Sequence, residues 1–273
     1  MTLVKKSGRY KYIYGPVSSW RLGSSLGVDP LSAVKKICSF DCLYCQLGGV
    51  AASAPHRRVY VPTEDIIEEI KKIPKDLSID YFTFSGRGEP TLALNLGEII
   101  EGIRAIRQEK IAVITNASLM GSKTLRGELA LADFVIAKID AYDEKSFKII
   151  NRPAKGIKFR DVYNGIKAFR KMYKTRLAVQ TMLFEENKSE YQKLAEIIFR
   201  IDPDEIELNT PLRKCAVGAL SPSEISKIAR YFRDYGASRL SGAEVISVYE
   251  AQRKKVKAIS DNDTSLRRGK DNR

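Results

Sequence analysis

Three of the four cysteines in this chain lie within eight residues, as Cys38, Cys42 and Cys45. This C-x3-C-x2-C spacing places three thiols on one short loop. Three thiolates so arranged can bind three irons of a 4Fe–4S cube and leave the fourth iron without a protein ligand. An iron with an open position can bind a small molecule and act on it, whereas a fully coordinated cluster mainly carries electrons. The spacing therefore predicts a catalytic iron–sulfur cluster.

Two other uses of these cysteines fit the sequence less well. A disulfide framework requires an oxidising compartment, and four cysteines in 273 residues are too few for such a scaffold. A structural zinc site usually has four ligands, in paired CxxC or CxxC and histidine form. The only histidine is His56 and the fourth cysteine, Cys215, lies far along the chain, so zinc would need an unusual fourth ligand.

The composition is that of a globular protein with excess positive charge. The apolar share is 44%, and no run approaches 18 apolar residues, so we expect no transmembrane helix. The polar start of the chain does not read as a secretory signal, and free thiols with an oxygen-sensitive cluster fit the reducing cytoplasm. The net charge of +14 favours an RNA substrate over a neutral small molecule. Surface lysines that aid solubility or thermal stability would give a similar charge.

The C-terminal end is especially basic. Residues 253–273 carry eight Lys or Arg against three Asp. We expect residues 1–250 to form one domain and residues 251–273 to form a basic tail that is disordered in isolation. A helical extension is expected over residues 248–259. The clustered cations that would contact phosphate there are Arg253, Lys254, Lys255 and Lys257.

Short apolar runs alternate with longer amphipathic runs after the cysteines. The short runs, rich in β-branched and aromatic residues, predict strands at 79–85, 111–115, 133–138, 177–182 and 205–209. The longer runs predict helices at 63–73, 95–109, 121–131, 158–174, 188–201 and 222–235. With a first strand leading into the cysteine loop, there are about six β–α units, too few for a closed eight-unit barrel. We therefore expect an α/β fold, a partial, open (β/α)6 barrel with its active site at the carboxyl ends of the strands.

Polar residues occupy the carboxyl ends of the predicted strands. Gly86 and Gly88 would let the backbone approach a ligand closely and Glu89 offers an acceptor for an ammonium group, although a simple turn explains the same residues. The candidates on later strands are Asn116, Ser118, Lys138, Asp140, Gln180 and Asn209. Asn116 and Ser118 could bind a ribose or a carboxylate, or form an ordinary turn. Lys138 and Asp140, two residues apart on a strand, would form a charge pair that faces the pocket, or an exposed ion pair. Gln180 and Asn209 could bind the cofactor adenine or the substrate, or belong to an internal polar network.

Cys215 follows the last predicted strand, in a loop that also carries Arg213 and Lys214. The two cations would lower the pKa of the thiol and make it reactive, whereas a partly buried, inert cysteine is the commoner outcome. Because loops that follow barrel strands lie at the carboxyl end of the barrel, we expect Cys215 to face the active-site cavity and to act on substrate there.

The cysteine loop, with Tyr44 directly before its third cysteine, resembles the signature loop of the radical S-adenosylmethionine (SAM) superfamily. Further segments are similar to a subgroup of that superfamily related to the tRNA wyosine-base synthases. These segments are residues 15–29, 45–48, 88–91, 151–153 and 208–211. Archaeal wyosine synthases carry additional cysteines ahead of this loop for a second cluster, and this sequence has none before Cys38. Their imidazoline-forming activity is therefore not carried over.

The resemblance implies that Cys38, Cys42 and Cys45 hold a 4Fe–4S cluster whose open iron binds SAM. Reduction by an external donor such as flavodoxin or ferredoxin would then cleave SAM to a 5′-deoxyadenosyl radical. The resemblance also implies that the segment from Gly86 to Glu89 holds the amino group of SAM, with the polar residues on later strands binding the rest of the cofactor.

Three functions are compatible with these observations. Modification of an RNA base, with tRNA as the first candidate, is favoured by the charge and by the subgroup. Action on a protein, as a glycyl-radical activase or a side-chain modifier, suits the short chain with one cluster. A non-catalytic electron carrier is disfavoured by the cofactor-type loops.

Overall fold

A computed structural model describes residues 10–33, 35–49, 56–259 and 264–265. The strands in these ranges are β1 (Ile13–Ser19), β2 (Gly23–Val28), β3 (Tyr81–Phe84), β4 (Lys110–Thr115), β5 (Phe134–Lys138), β6 (Arg176–Met182), β7 (Glu205–Asn209) and β8 (Glu244–Ser247). The α-helices are α1 (Thr63–Lys71), α2 (Leu96–Ile106), α3 (Lys123–Leu129), α4 (Glu144–Ile150), α5 (Phe159–Met172), α6 (Tyr191–Phe199) and α7 (Pro222–Ser238). Single 3₁₀ turns lie at Pro90–Leu92 and Lys188–Glu190.

All eight strands belong to one sheet, ordered from β1 to β8 as in the chain. β1 and β2 form an antiparallel hairpin, and every later strand pairs in parallel with the one before it. The parallel strands are connected through helices, and the sheet curls into a half-barrel. The predicted partial α/β barrel is therefore confirmed, with its carboxyl strand ends gathered at one rim.

The strands at both edges of the sheet, β1 and β8, were not predicted. The first strand expected to lead into the cysteine loop is β2, whose sequence Gly-Ser-Ser-Leu-Gly-Val contains small residues with little strand propensity. One of its glycines is required by the hairpin, because a Cβ on Gly27 would lie 2.1 Å from the ring of Tyr14, its cross-strand partner. β8 is only four residues long. Helix α4 was also missed, since its seven residues bury only Phe147 and Ile150 and show no clear periodicity.

The segment after β8 is not helical, so the predicted helical extension over residues 248–259 is wrong. A turn at residues 248–250 is followed by a stretch without helix or strand up to residue 259. This stretch contacts the sheet: Lys254 Nζ lies 2.6 and 2.8 Å from the Asp80 carboxylate oxygens, and the Ile259 amide donates to the Gly15 carbonyl at 2.5 Å. Residues 260–263 and 266–273 of the predicted tail lie outside the described residues.

The core is apolar and lies mainly between the sheet and its helices, as the predicted periodicities require. Its largest fully buried side chains include Phe82, Phe84, Phe134, Phe169 and Phe232. Across the described part of the chain, no helix has both the length and the apolar character needed to cross a membrane.

Candidate active site

The cysteine loop lies between β2 and α1 and is held from both sides by backbone hydrogen bonds. On one side, the Ile37 amide donates to the Arg87 carbonyl and the Glu89 amide donates to the Ile37 carbonyl, both at 2.9 Å. On the other side, the Leu43 amide donates to the carbonyl of Ile150, at the end of α4, also at 2.9 Å. The glycine–glutamate segment and α4 thus fix the cysteine loop between them.

Two of the three thiols accept hydrogen bonds from neighbouring groups. Cys38 Sγ lies 3.5 Å from the Phe40 amide and 3.6 Å from Asn116 Nδ2. Cys42 Sγ lies 3.5 Å from Asn151 Nδ2. Such N–H groups orient metal-binding sulfurs and stabilise their negative charge.

The chemistry of this loop fits an iron–sulfur cluster. Burial raises the pKa of the Cys38 thiol and, with the nearby Asp140 carboxylate, raises that of Cys42 to about 11, so metal binding must displace protons. Burial disfavours the charged form of Lys36, yet its pKa is raised because the thiols of the loop surround it. The buried Lys36 ammonium therefore lies beside thiols that become negatively charged when they bind metal.

Three thiols on one loop form the ligand set of an open 4Fe–4S cluster, because such a cube takes one thiolate on each of three irons. When bound, the cluster would be held by Cys38, Cys42 and Cys45, and it would supply the open iron at which SAM binds.

Glu89 is buried within the protein. Its carboxylate accepts hydrogen bonds from the amide and hydroxyl of Thr91, the hydroxyl of Thr115 and the amide of Asn116, at 2.6–3.1 Å. Burial raises its pKa although these donors favour the charged form. The carboxylate therefore joins the segment after β3 to the end of β4. Its expected role as an acceptor for an ammonium group stays a prediction.

Asn116 and Ser118, at the end of β4, also position the cysteine loop. Asn116 Nδ2 donates to Ser39 Oγ at 2.9 Å, and the Ser118 amide donates to Asn116 Oδ1 at 2.9 Å. The hydroxyls of Ser118 and Ser39 share a hydrogen bond at 2.7 Å. Both residues therefore hydrogen-bond to other groups of the protein, and these hydrogen bonds place them directly behind Cys38.

Asp140 lies beyond the end of β5, and its buried carboxylate is an acceptor for several neighbouring groups. It accepts hydrogen bonds from the Tyr44 hydroxyl, from Asn151 Nδ2 at 2.9 Å and from the Met182 amide at 2.8 Å. Lys138 Nζ lies 3.3 Å from Asp140 Oδ1 and 5.0 Å from the centre of the Tyr44 ring. The predicted pair of Lys138 and Asp140 exists, and it holds the residue that precedes the third cysteine.

Asp140→Asn should weaken the cysteine loop. The substitution removes a charge that several donors share and turns one acceptor into a donor, at a cost of about 1.5–3 kcal/mol for a hydrogen-bonded charged group. We expect a lower thermal midpoint and a lower iron content after anaerobic reconstitution. Asp161→Asn, on the exposed side of α5, is the matched control and should change neither value. Equal iron content in both variants would contradict the role given to Asp140.

A second network of buried polar side chains includes two residues that the sequence predicted, Lys138 and Gln180. Gln180 Nε2 donates to Glu207 Oε2 at 2.5 Å, Gln180 Oε1 accepts from Lys138 at 3.2 Å, and Arg21 Nε lies 3.4 Å from Glu207 Oε2. Burial raises the pKa of Glu207 against the attraction of Arg21. Arg21 and Glu207 were missed, although a glutamate inside the apolar strand β7 is itself a signal of a buried partner.

A cavity of about 410 Å³ opens beside the cysteine loop, within the usual size range of small-molecule sites. The residues lining it that the sequence predicted are Cys45, Gly86, Lys138, Gln180 and Asn209. The predicted residues absent from its described lining are Cys38, Cys42, Gly88, Glu89, Asn116, Ser118, Asp140 and Cys215. A second depression, of about 430 Å³ and lined by Lys167 and Lys174 among others, lies at the amino ends of β6 and β7, away from the cysteines.

Cys215 is not among the described residues that line the cavity, and its role on substrate stays a prediction. Its thiol donates to the carbonyl of Val217 at 3.1 Å, within its own loop. The first part of the loop, residues 209–213, lines the cavity, and Arg213 Nη1 donates to Gln46 Oε1 at 2.9 Å. Cys215 lies two residues beyond this lining segment.

Comparison with known proteins agrees with this geometry. A model of the radical SAM superfamily matches residues 34–198. A UPF0026 protein of Synechocystis sp. is 41% identical over 202 residues, or 74% of this chain and 76% of that protein. A protein of Brachyspira hyodysenteriae named GTPase Obg is 34% identical over 266 residues, or 95% of this chain and 38% of that longer protein. A probable GTP 3′,8-cyclase of Saccharolobus islandicus is 25% identical, over 63% of this chain and 53% of that one.

Solved structures share the fold at low sequence identity. SuiB of Streptococcus suis, bound to SAM, superposes with a TM-score of 0.62 at 15% identity, over 78% of this chain and 48% of that one. The protein anSMEcpe with bound SAM gives a TM-score of 0.61 at 19% identity, over 82% and 64%. The three-cysteine loop stands in the half-barrel that these SAM-bound proteins share, and the family model matches more than half of the sequence. The chain is therefore an enzyme of the radical SAM superfamily and a homologue of the UPF0026 proteins.

Proposed function

We propose that this radical SAM enzyme modifies a base of RNA, with tRNA as the first candidate substrate. The observation that carries the proposal is an aromatic ring and a guanidinium side by side in the cavity wall. Trp20 and Arg21 both line the cavity, and the Arg21 guanidinium carbon lies 4.8 Å from the centre of the Trp20 ring. Proteins hold unstacked RNA bases on aromatic rings and arginine planes of this kind. A base must also leave its stack before an enzyme can reach its atoms.

The charge and one relative support the same substrate class. A net charge of +14 attracts a polyanion from a distance. The GTP 3′,8-cyclase relative is named for a reaction of a purine nucleotide. A peptide is the alternative substrate, since SuiB and anSMEcpe have also been solved with bound peptides. At 15% and 18% identity, those two structures are evidence for the fold and not for the substrate.

The residues of this chain have distinct tasks in the proposed reaction. The bound cluster and SAM would supply a 5′-deoxyadenosyl radical that abstracts hydrogen from the substrate. Asn116 and Asn151 donate hydrogen bonds to the cysteine sulfurs, and Lys36 balances their charge. Gly86 and Lys138 line the space that cofactor and substrate share. The chain has four cysteines, three of which would hold this cluster, so the sequence lacks the ligands for a second cluster that could supply electrons. The electrons would therefore come from an external donor such as flavodoxin or ferredoxin, in a reducing cytoplasm.

Comparison of the modified nucleosides in RNA from a deletion strain and its parent tests this proposal. We expect one modified nucleoside to be missing or replaced by its precursor, and to return with the wild-type gene and not with a Cys42→Ser variant. The reconstituted enzyme should then convert unmodified tRNA from the deletion strain. Identical nucleoside profiles in all RNA fractions would overturn the RNA proposal and favour a protein substrate.

Binding of tRNA should depend steeply on salt. If three phosphates are neutralised, affinity should fall about 20- to 40-fold between about 50 and 200 mM monovalent salt, because bound counterions are released. The measurement is the affinity of the reconstituted enzyme for unmodified tRNA, with a neutral peptide of similar size as the control. Weak binding of tRNA without salt dependence would count against an RNA substrate.

A further inference from the structure

The cavity wall is unusually cationic. Arg21, Lys138, Arg213 and Arg253 all line it, and they come from four separate segments of the chain. No Asp or Glu stands among the lining residues in the described ranges. Lys138 pairs with Asp140 at 3.3 Å, and Arg21 Nε lies 3.4 Å from Glu207 Oε2. The three arginines come from the β1–β2 turn, the loop after β7 and the segment after β8.

Arg213 and Arg253 line the same cavity as Arg21 and repel its charge. Arg21 is mostly buried, and its side chain is 15% exposed. Burial lowers its pKa, Glu207 opposes that effect, and Arg213 and Arg253 lower it further by repulsion. The Nε atom of Arg21 faces Glu207 at 3.4 Å without forming a hydrogen bond. Guanidinium groups from separate segments that line one cavity attract a negatively charged ligand to it.

Arg253 reaches this wall because the segment that carries it is tied to the sheet. The next residue, Lys254, forms an ion pair with Asp80, whose Oδ2 also accepts the Ser24 amide at 2.7 Å. Gly15 of β1 accepts from the Ile259 amide and donates to Thr264 Oγ1 at 3.0 Å. This segment therefore adds a further arginine to the wall of the cavity.

We infer that Arg21, Arg213 and Arg253 bind a phosphate group of the substrate, and that residues 251–259 form a strap that carries Arg253 to this phosphate subsite. The planar guanidinium fork matches two phosphate oxygens at once, which a lysine ammonium cannot do. Trp20, next to Arg21, lies where the base attached to that phosphate would stack. The inference rests on the proposed nucleotide chemistry and specifies which part of the nucleotide is bound where.

The test compares Arg253→Ala with Lys255→Ala in the reconstituted enzyme with SAM. Both variants lose one positive charge from the strap, and Lys255 does not line the cavity. The probes are GTP against guanosine, and a short RNA hairpin with and without a 5′-phosphate. We expect Arg253→Ala to weaken binding of a phosphorylated probe by about ten- to a hundredfold, as for a hydrogen bond to a charged group. Lys255→Ala should stay within about twofold, and Arg253→Lys should restore only part of the loss.

The two probe pairs distinguish the source of the phosphate. A preference for GTP over guanosine that depends on Arg253 indicates a free nucleotide. A dependence seen only with the hairpin indicates a phosphate of RNA. If Arg253→Ala and Lys255→Ala bind every probe equally, with thermal midpoints equal to that of the wild type, the phosphate subsite does not exist. If the deletion strain lacks no RNA nucleoside while Arg253 still discriminates phosphate, the RNA proposal fails and the subsite stands.

Discussion

Replacement of any one of Cys38, Cys42 and Cys45 by serine will abolish the cluster and with it all cleavage of SAM. Each thiolate binds a different iron, so two remaining thiolates cannot hold the cube with one open position. Cys215 cannot replace the lost ligand, because its thiol donates a hydrogen bond to the Val217 carbonyl and its part of the loop does not line the cavity. The loss should therefore be complete.

The measurement is iron and sulfide content after anaerobic reconstitution, followed by assay of 5′-deoxyadenosine after reduction. The wild-type protein should bind about four irons per chain, as a 4Fe–4S cluster requires. Cys215→Ser is the matched control and should retain both the irons and the cleavage of SAM. A Cys38→Ser variant that still produced 5′-deoxyadenosine would contradict the assignment of the cluster ligands.

Gly88→Ala should have the second largest effect, although it adds only one methyl group. A Cβ on Gly88 would lie 1.6 Å from the Ile37 carbonyl oxygen and 2.4 Å from its carbon. Both are backbone atoms of the residue directly before Cys38, so no side chain can move aside. The two hydrogen bonds that join Ile37 to Arg87 and Glu89 must break or shift. We expect a loss of stability of about 1–3 kcal/mol, as for other overpacked sites, and a cysteine loop that binds little iron.

Gly49→Ala is the control for this substitution, because only Asp41 Oδ2, at 4.0 Å, comes near a Cβ there. It should leave the thermal midpoint and the iron content close to wild type. If Gly88→Ala also kept its full iron content and its midpoint, the contact with Ile37 would not matter for the site. The expected role of Gly88 at the cofactor stays a separate prediction, which this stability measurement does not test.

The parallel strands and the cysteine loop could be predicted because their signals are local. Apolar runs and helical periodicity reflect burial against a sheet, which depends little on the identity of the partner. A strand before the cysteine loop was expected, but neither its bounds nor its hairpin partner β1 could be predicted, because the small residues of β2 fit what lies across the hairpin, such as Tyr14 opposite Gly27. The helix expected after residue 248 did not form, because its basic residues find partners on the sheet, as Lys254 does with Asp80.

The roles of single polar residues were harder to predict than their places. Glu89 and Asp140 lie at strand ends as expected, but their carboxylates accept hydrogen bonds from Thr91, Asn116, Tyr44 and Asn151. A sequence shows that a buried carboxylate needs donors, and it does not show whether they come from the protein or from a ligand. Cys215 illustrates the same limit, because the sequence predicted that its loop lies at the cavity and did not predict the Val217 carbonyl to which its thiol donates.

The contacts that Gly15 makes with the C-terminal residues bear on the solubility of the protein. β1 is the outermost strand at one end of an open sheet, and such a strand is a template on which another chain can add a strand. At Gly15 the N–H already donates a hydrogen bond to Thr264 Oγ1, and the C=O already accepts one from the Ile259 amide. A protein shortened before these residues would expose that edge and become prone to self-association. Loss of RNA binding after truncation would then reflect aggregation as much as lost charge, and single substitutions avoid that ambiguity.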